Sequence, residues 1–132
     1  MRFEISTDYA IRALRLLHLR EGEVLTTMEL AQSIGTTSPV FAKIAGKLRH
    51  VGILRTIQGQ KGGYVLGKPA HEISVYDVFL CIEGDLRINC CLETGGRCTH
   101  GDQMECKVHD ILYGIQDELI EKLSNVSIAD LV

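Results

Sequence analysis

The stretch 26-TTMELAQSIGTTSPVFAKIAGKLRHVGILRTIQGQKGGYVLGKPA-70 decides the fold. Its opening Thr26-Thr27-Met28-Glu29 is a capping box, in which the Thr26 hydroxyl satisfies a free backbone N–H and the Glu29 carboxylate reaches back to close the reciprocal bond. The helix begun there stops near Gly35. Ser38 can then serve as the next N-cap with Pro39 in the first helical position, where its missing N–H costs nothing. That helix runs to about His50, ahead of Gly52. Two short helices joined by a tight turn of about three residues form a helix-turn-helix. Ile53–Gln58 alternates like a strand, Gly59–Gly63 can turn, and Tyr64–Leu66 returns, so a two-stranded wing follows directly. The expectation is a mainly α fold, a winged helix-turn-helix.

Outward from this block, a first helix is expected from about Thr7 to Arg20, with Ala10, Ala13, Leu14 and Leu17 at three-and-four spacing. Beyond the wing, Ser74-Val75-Tyr76-Asp77 offers a second capping signature and starts a short helix to about Glu83. From Gly84 to Glu105 the chain is rich in glycine and cysteine and has no helical or strand period. A long C-terminal helix is expected from about Cys106 to Ser124, with Val108, Ile111, Leu112, Ile115, Leu119 and Leu123 on one stripe. Its length and its place after a polar loop point to pairing with a second copy, although a small core could absorb part of the stripe. The expected organisation is a DNA-binding domain over 1–83, a Cys-rich cluster-binding loop over 84–105, and a dimerisation helix and tail over 106–132.

The composition fits one ordinary core: 132 residues, 45% hydrophobic and 23% charged. Two prolines and no tryptophan argue against a linker or a large aromatic pocket. No apolar run is long enough to span a membrane, and the N-terminus lacks a signal-peptide layout, so a cytoplasmic protein is expected with no membrane partner. The net charge of −3 hides an asymmetry. Between Gly35 and Lys68 stand six basic residues, Lys43, Lys47, Arg49, Arg55, Lys61 and Lys68, and no Asp or Glu. The bland account is a solvated charged face. Because the block coincides with the second helix of the motif and the wing, double-stranded DNA is the expected partner instead. Thr37, Ser38, Pro39, Val40 and Lys43 would face the major groove, Lys47 and Arg49 the DNA backbone or the core, and Lys61 an adjacent groove. No nucleophile and base pair is evident, so no enzyme is expected.

In a reducing compartment five cysteines point toward metal or redox chemistry rather than a disulfide framework. Cys90, Cys91, Cys98 and Cys106 fall within 17 residues, with His109 one helical turn after Cys106. Gaps of six and seven residues between Cys91, Cys98 and Cys106 are wider than the usual clips of structural zinc. Thiolates spread over a glycine-rich loop can converge on an iron-sulfur cluster, which tolerates a histidine or another fourth ligand. Zinc, or thiols with redox or no special chemistry, stay open on spacing alone. Cys81 lies within a helix and reads as a buried small apolar residue.

The run Lys47-Leu-Arg-His-Val-Gly-Ile-Leu54, the wing Gly59-Gln-Lys-Gly-Gly-Tyr-Val-Leu-Gly-Lys-Pro-Ala70, the helix from Ser74 to Ile82 and the spaced Cys91, Cys98 and Cys106 together resemble the Rrf2 family of bacterial winged-helix regulators. The resemblance covers nearly the whole chain. It implies a homodimeric transcription factor, usually a repressor, whose DNA affinity is set by an iron-sulfur cluster, 2Fe-2S or 4Fe-4S. By position, Cys91, Cys98 and Cys106 match the three cluster cysteines. His109 matches the fourth ligand of one branch, and Asp8 matches an aspartate that another branch supplies from the other subunit. A surface histidine and an acidic residue facing a helix dipole are the plain alternatives for these two. Cluster-free members that respond to thiol oxidation or to a partner protein are the competing expectation. Two departures stand out. Gln58 occupies the place of a wing arginine that enters the minor groove in many relatives, with Lys61 the nearest substitute. Cys90 is extra, either replacing Cys91 as a ligand or acting as a neighbouring thiol exposed to oxidation.

Overall fold

The fold rests on two helix starts closed by reciprocal side-chain bonds. Glu29 N–H donates to Thr26 Oγ1 at 3.1 Å while Thr26 N–H donates to Glu29 Oε2 at 2.8 Å. The Ser74–Asp77 box repeats this geometry at 2.9 and 3.0 Å. The computed structural model describes residues 2–93 and 106–132. In chain order these form α1 (Ile5–Leu19), α2 (Thr27–Ile34), α3 (Ser38–His50), β1 (Leu54–Ile57), β2 (Gly63–Leu66), α4 (Val75–Glu83) and α5 (Lys107–Ser124). Short 3-10 turns stand at Ala70–Glu72, Cys90–Leu92 and Ile128–Leu131. The expected winged helix-turn-helix is present.

Several boundaries differ from the sequence expectation. The first helix begins at Ile5, because Glu83 at the end of α4 accepts from the Glu4 N–H at 3.2 Å and from the Thr7 hydroxyl. A carboxylate distant in sequence thus caps it. Thr37, not Ser38, is the N-cap of α3; Ser38 is already helical, which puts Pro39 second in the helix rather than first, still within the turn whose N–H groups have no helical partner. The segment after Gly84, expected to have no period, contains the Cys90–Leu92 turn.

The core is shared by the first four helices and the wing. Ala10, Ala13, Leu14 and Leu17 of α1 meet Leu30 and Ala31 of α2, Phe41, Ile44, Ala45 and Leu48 of α3, and Val78 and Ile82 of α4. The wing is antiparallel, with Leu54 opposite Leu66 and Ile57 opposite Gly63. It docks on Leu25 through a two-way bridge, Tyr64 N–H to the Leu25 carbonyl at 2.8 Å and Leu25 N–H to the Tyr64 carbonyl at 3.2 Å. A Cβ on Gly63 would overlap that same Leu25 carbonyl, which explains why a glycine precedes the tyrosine. The residues after α5 fold back: Val75 N–H donates to the Val126 carbonyl at 2.8 Å, Ile128 N–H to the Ile73 carbonyl at 2.9 Å, and Ile128 is fully buried.

Candidate nucleic-acid interface and cysteine segment

α3 is amphipathic with its apolar residues inward and an exposed arc outward. At about 100° per residue, Phe41, Ile44, Ala45 and Leu48 share the buried side, and Pro39, Lys43 and His50 centre the opposite one. Val40 and Lys47 lie on one shoulder and Arg49 on the other. Thr37, Pro39, Val40, Lys43, Lys47 and Arg49 are exposed and Ser38 is half-buried. Neither Lys47 nor Arg49 enters the core, contrary to one branch of the expectation, since a charge there would lose its water without a partner. Burial pushes the Cys81 thiol up, and the Lys47 ammonium offsets part of that rise. Cys81 is itself half-buried rather than buried, because it sits at the edge where α4 meets the core.

The Thr37 side chain makes no capping bond, so its hydroxyl stays free at the start of α3. Gln58 follows β1 and Lys61 sits in the hairpin turn, both exposed. The structure thereby gathers the start of α3 and the wing on either side of an open cleft of about 460 Å³, lined by Thr27, Met28, Ser38, Thr56 and Gly63. Met28, 61% exposed, was missed by sequence reasoning. Its signal was a large apolar side chain in a polar capping turn, where no inward position was open to it.

The cysteine segment is anchored at both ends of its described part. Leu86 is fully buried, and the Ile88 N–H donates to Gln116 Oε1 of α5 at 2.9 Å. Cys90 is exposed, whereas Cys91 is half-buried and accepts from Asn89 Nδ2 at 3.2 Å. The Cys90–Leu92 turn packs on α5. At the head of α5, Cys106 is the N-cap and its Sγ accepts the His109 N–H at 3.5 Å. His109 stacks on Tyr113 with ring centroids 6.4 Å apart. The structure therefore joins Cys106 and His109 at one helix end, as expected, and brings the turn bearing Cys91 against the same helix. Cys98 lies outside the described residues, as does His100. Among the described residues no three metal-binding side chains converge. Asp8 stands in the first turn of α1, where Arg12 Nε donates to its Oδ2 at 2.8 Å.

The outward side of α5 is apolar. Val108, Ile111 and Ile115 are 65%, 64% and 50% exposed, while Leu112, Leu119 and Leu123 of the expected stripe are half-buried against the body. No helix among the described residues is long and apolar enough to cross a membrane.

A helix-turn-helix followed by a docked wing, with a cationic outer face, defines a winged-helix DNA-binding protein. The Rrf2 family model, described as iron-dependent transcriptional regulator, matches residues 3–132, and the chain belongs to that family. It is a transcriptional regulator and not an enzyme. A Lactococcus lactis protein named as an HTH-type transcriptional regulator, YffB, is 35% identical over 117 residues, covering 86% of this chain and 75% of its own. A Mycobacterium tuberculosis protein named in the same way, Rv1287, is 37% identical over 87 residues, covering 65% of this chain and 54% of its own. Among solved structures, CymR, the global cysteine regulator of B. subtilis, superposes with a TM-score of 0.81 at 22% identity, covering 99% of this chain and 95% of that one. T. potens IscR gives 0.78 at 19% identity, covering 99% and 85%. At those identities the two structures attest the fold.

Proposed function

We propose that this chain is a cytoplasmic, homodimeric repressor that binds a double-stranded DNA operator and whose DNA affinity is set by an iron-sulfur cluster, 2Fe-2S or 4Fe-4S. The observation that carries the proposal is the packing of the Cys90–Leu92 turn on α5, the helix whose first turn bears Cys106 and His109, beside an apolar stripe left open for a second copy. Both described sulfurs already accept N–H hydrogen bonds, the outer contacts that metal-bound thiolates also receive, so the donor set suits the group. Cys91, Cys98 and Cys106 would hold it, with His109 preferred over Asp8 as the fourth donor. His109 shares a rigid helix end with Cys106, whereas Asp8 must leave Arg12. When bound, such a cluster supplies iron that reacts with oxidants and nitric oxide.

The protein's own residues do the rest. Thr37, Ser38, Pro39, Val40 and Lys43 read the major groove, while Lys47, Arg49, Gln58 and Lys61 contact phosphates or an adjacent groove. The cysteine segment braces α5 against the body, and α5 sets the distance between the two recognition helices.

The test is iron and sulfide quantification with a visible spectrum on protein prepared anaerobically. Cys91→Ala, Cys98→Ala and Cys106→Ala are each expected to be colourless yet dimeric, and full iron content in all three overturns the assignment. A spectral change in His109→Ala, with Asp8→Ala resembling the parent, confirms the fourth donor; the reverse pattern gives that place to Asp8. Iron-free parent protein that still binds its operator in a thiol-dependent way selects the cluster-free reading.

A further inference from the structure

Gln116 is the buried residue of α5, 4% exposed in a helix that turns isoleucine and valine outward. That inverts the ordinary partition, in which a glutamine is exposed and aliphatic side chains are inside. A buried amide is costly unless hydrogen-bonded, and a leucine there would pack better. What an amide can do and a leucine cannot is hold a backbone N–H. Gln116 Oε1 holds that of Ile88, three residues before Cys91.

The geometry gives this bond a direction. His109 precedes Gln116 by seven residues, so the two share a face of α5, about 10 Å apart along its axis. Three residues leaving Ile88 reach at most roughly 10 Å. The Cys90–Leu92 turn packs on α5, so a chain pinned at Gln116 holds Cys91 beside this helix and no farther along it than the level of His109. The exposed stripe of Val108, Ile111 and Ile115 lies around the helix from this face, so the segment is kept off the surface left for the second copy.

We propose that Gln116 is the positioning residue of the cysteine segment, its amide oxygen holding the Ile88 backbone on the His109 face of α5 so that Cys91 is presented to Cys106 and His109. The inference rests on the proposal that these three residues serve one site. Its test uses Cys90 as an internal standard, because the neighbouring thiol is exposed whatever the clamp does.

Alkylation rates of Cys91 and Cys90 are measured by mass spectrometry on the full, iron-free, reduced protein with iodoacetamide as the probe. Gln116→Met, which keeps the volume and loses the acceptor, is expected to raise the Cys91 to Cys90 rate ratio by about tenfold, the factor one ordinary hydrogen bond supplies to a local opening. Gln116→Glu retains an acceptor oxygen and restores the ratio toward the parent value, which a merely volumetric role would not produce. Should Gln116→Met fail to fold, Gln116→Asn, one methylene too short to reach, takes its place with the same expectation. In reconstituted protein, loss of visible absorbance to a chelator is faster in the Met variant and not in the Glu variant. An unchanged ratio in Gln116→Met or Gln116→Asn overturns the proposal. Parent protein that takes up no iron overturns the cluster reading instead, while the alkylation ratio still decides the clamp.

Discussion

α3 and α5 carry the same kind of three-and-four apolar pattern and meet opposite fates. In α3 the apolar side chains Phe41, Ile44, Ala45 and Leu48 are all buried and the cations face water. In α5 the buried side chain is a glutamine, and Val108, Ile111 and Ile115 face out. The difference shows that apolar period alone says how wide a helix's apolar face is, not which surface will cover it. α3 is covered by its own chain, while α5 presents aliphatic area that would lower its free energy by leaving water.

The contrast predicts unequal responses to truncation. Phe41→Ala is expected to cost about 3–5 kcal/mol, a large share of a small domain's stability, read as a drop in the urea midpoint. A cost below 1 kcal/mol would mean that α3 is not seated as described. Ile111→Asp is expected to leave the unfolding of each protomer within about 0.5 kcal/mol of the parent. It should nonetheless weaken self-association, because each protomer forfeits about 1.5–3 kcal/mol of apolar burial. Sedimentation at several concentrations measures this, and an undisturbed dimer would show that another surface pairs the copies.

Smaller effects separate the outer face of α3 from the wing. Lys43→Ala is expected to weaken operator binding by about 1–3 kcal/mol and to change the preferred base at one position. Lys61→Ala is expected to weaken all sequences alike and to reduce the slope of log affinity against log salt by about one. Identical behaviour of the two variants would erase the division between base reading and backbone contact.

What was legible in the sequence was local chemistry. The Thr26–Glu29 and Ser74–Asp77 boxes, Pro39 in its first turn and the glycine-punctuated wing each specify themselves within a few residues, and the structure has all of them. The misses involve partners far along the chain. The start of α1 at Ile5 depends on Glu83, the burial of Gln116 on the Ile88 backbone, and the placing of the Cys90–Leu92 turn on its packing against α5. None of these pairings leaves a periodic trace. The candidate cysteine site lies between the two cases: Cys106 and His109 are legible as one helix end, the Cys91 turn meets α5 only through tertiary packing, and Cys98 lies outside the described residues.

The returning tail has a consequence for synthesis. Arg15 Nε donates to the Leu131 carbonyl at 2.7 Å, and Ile128 fills a place in the core beside residues of α1. Contacts of such sequence separation cannot form until residues 126–131 have been made, so the first helices cannot finish burying α1 before then. Until that point the nascent chain would hold an open groove along α1.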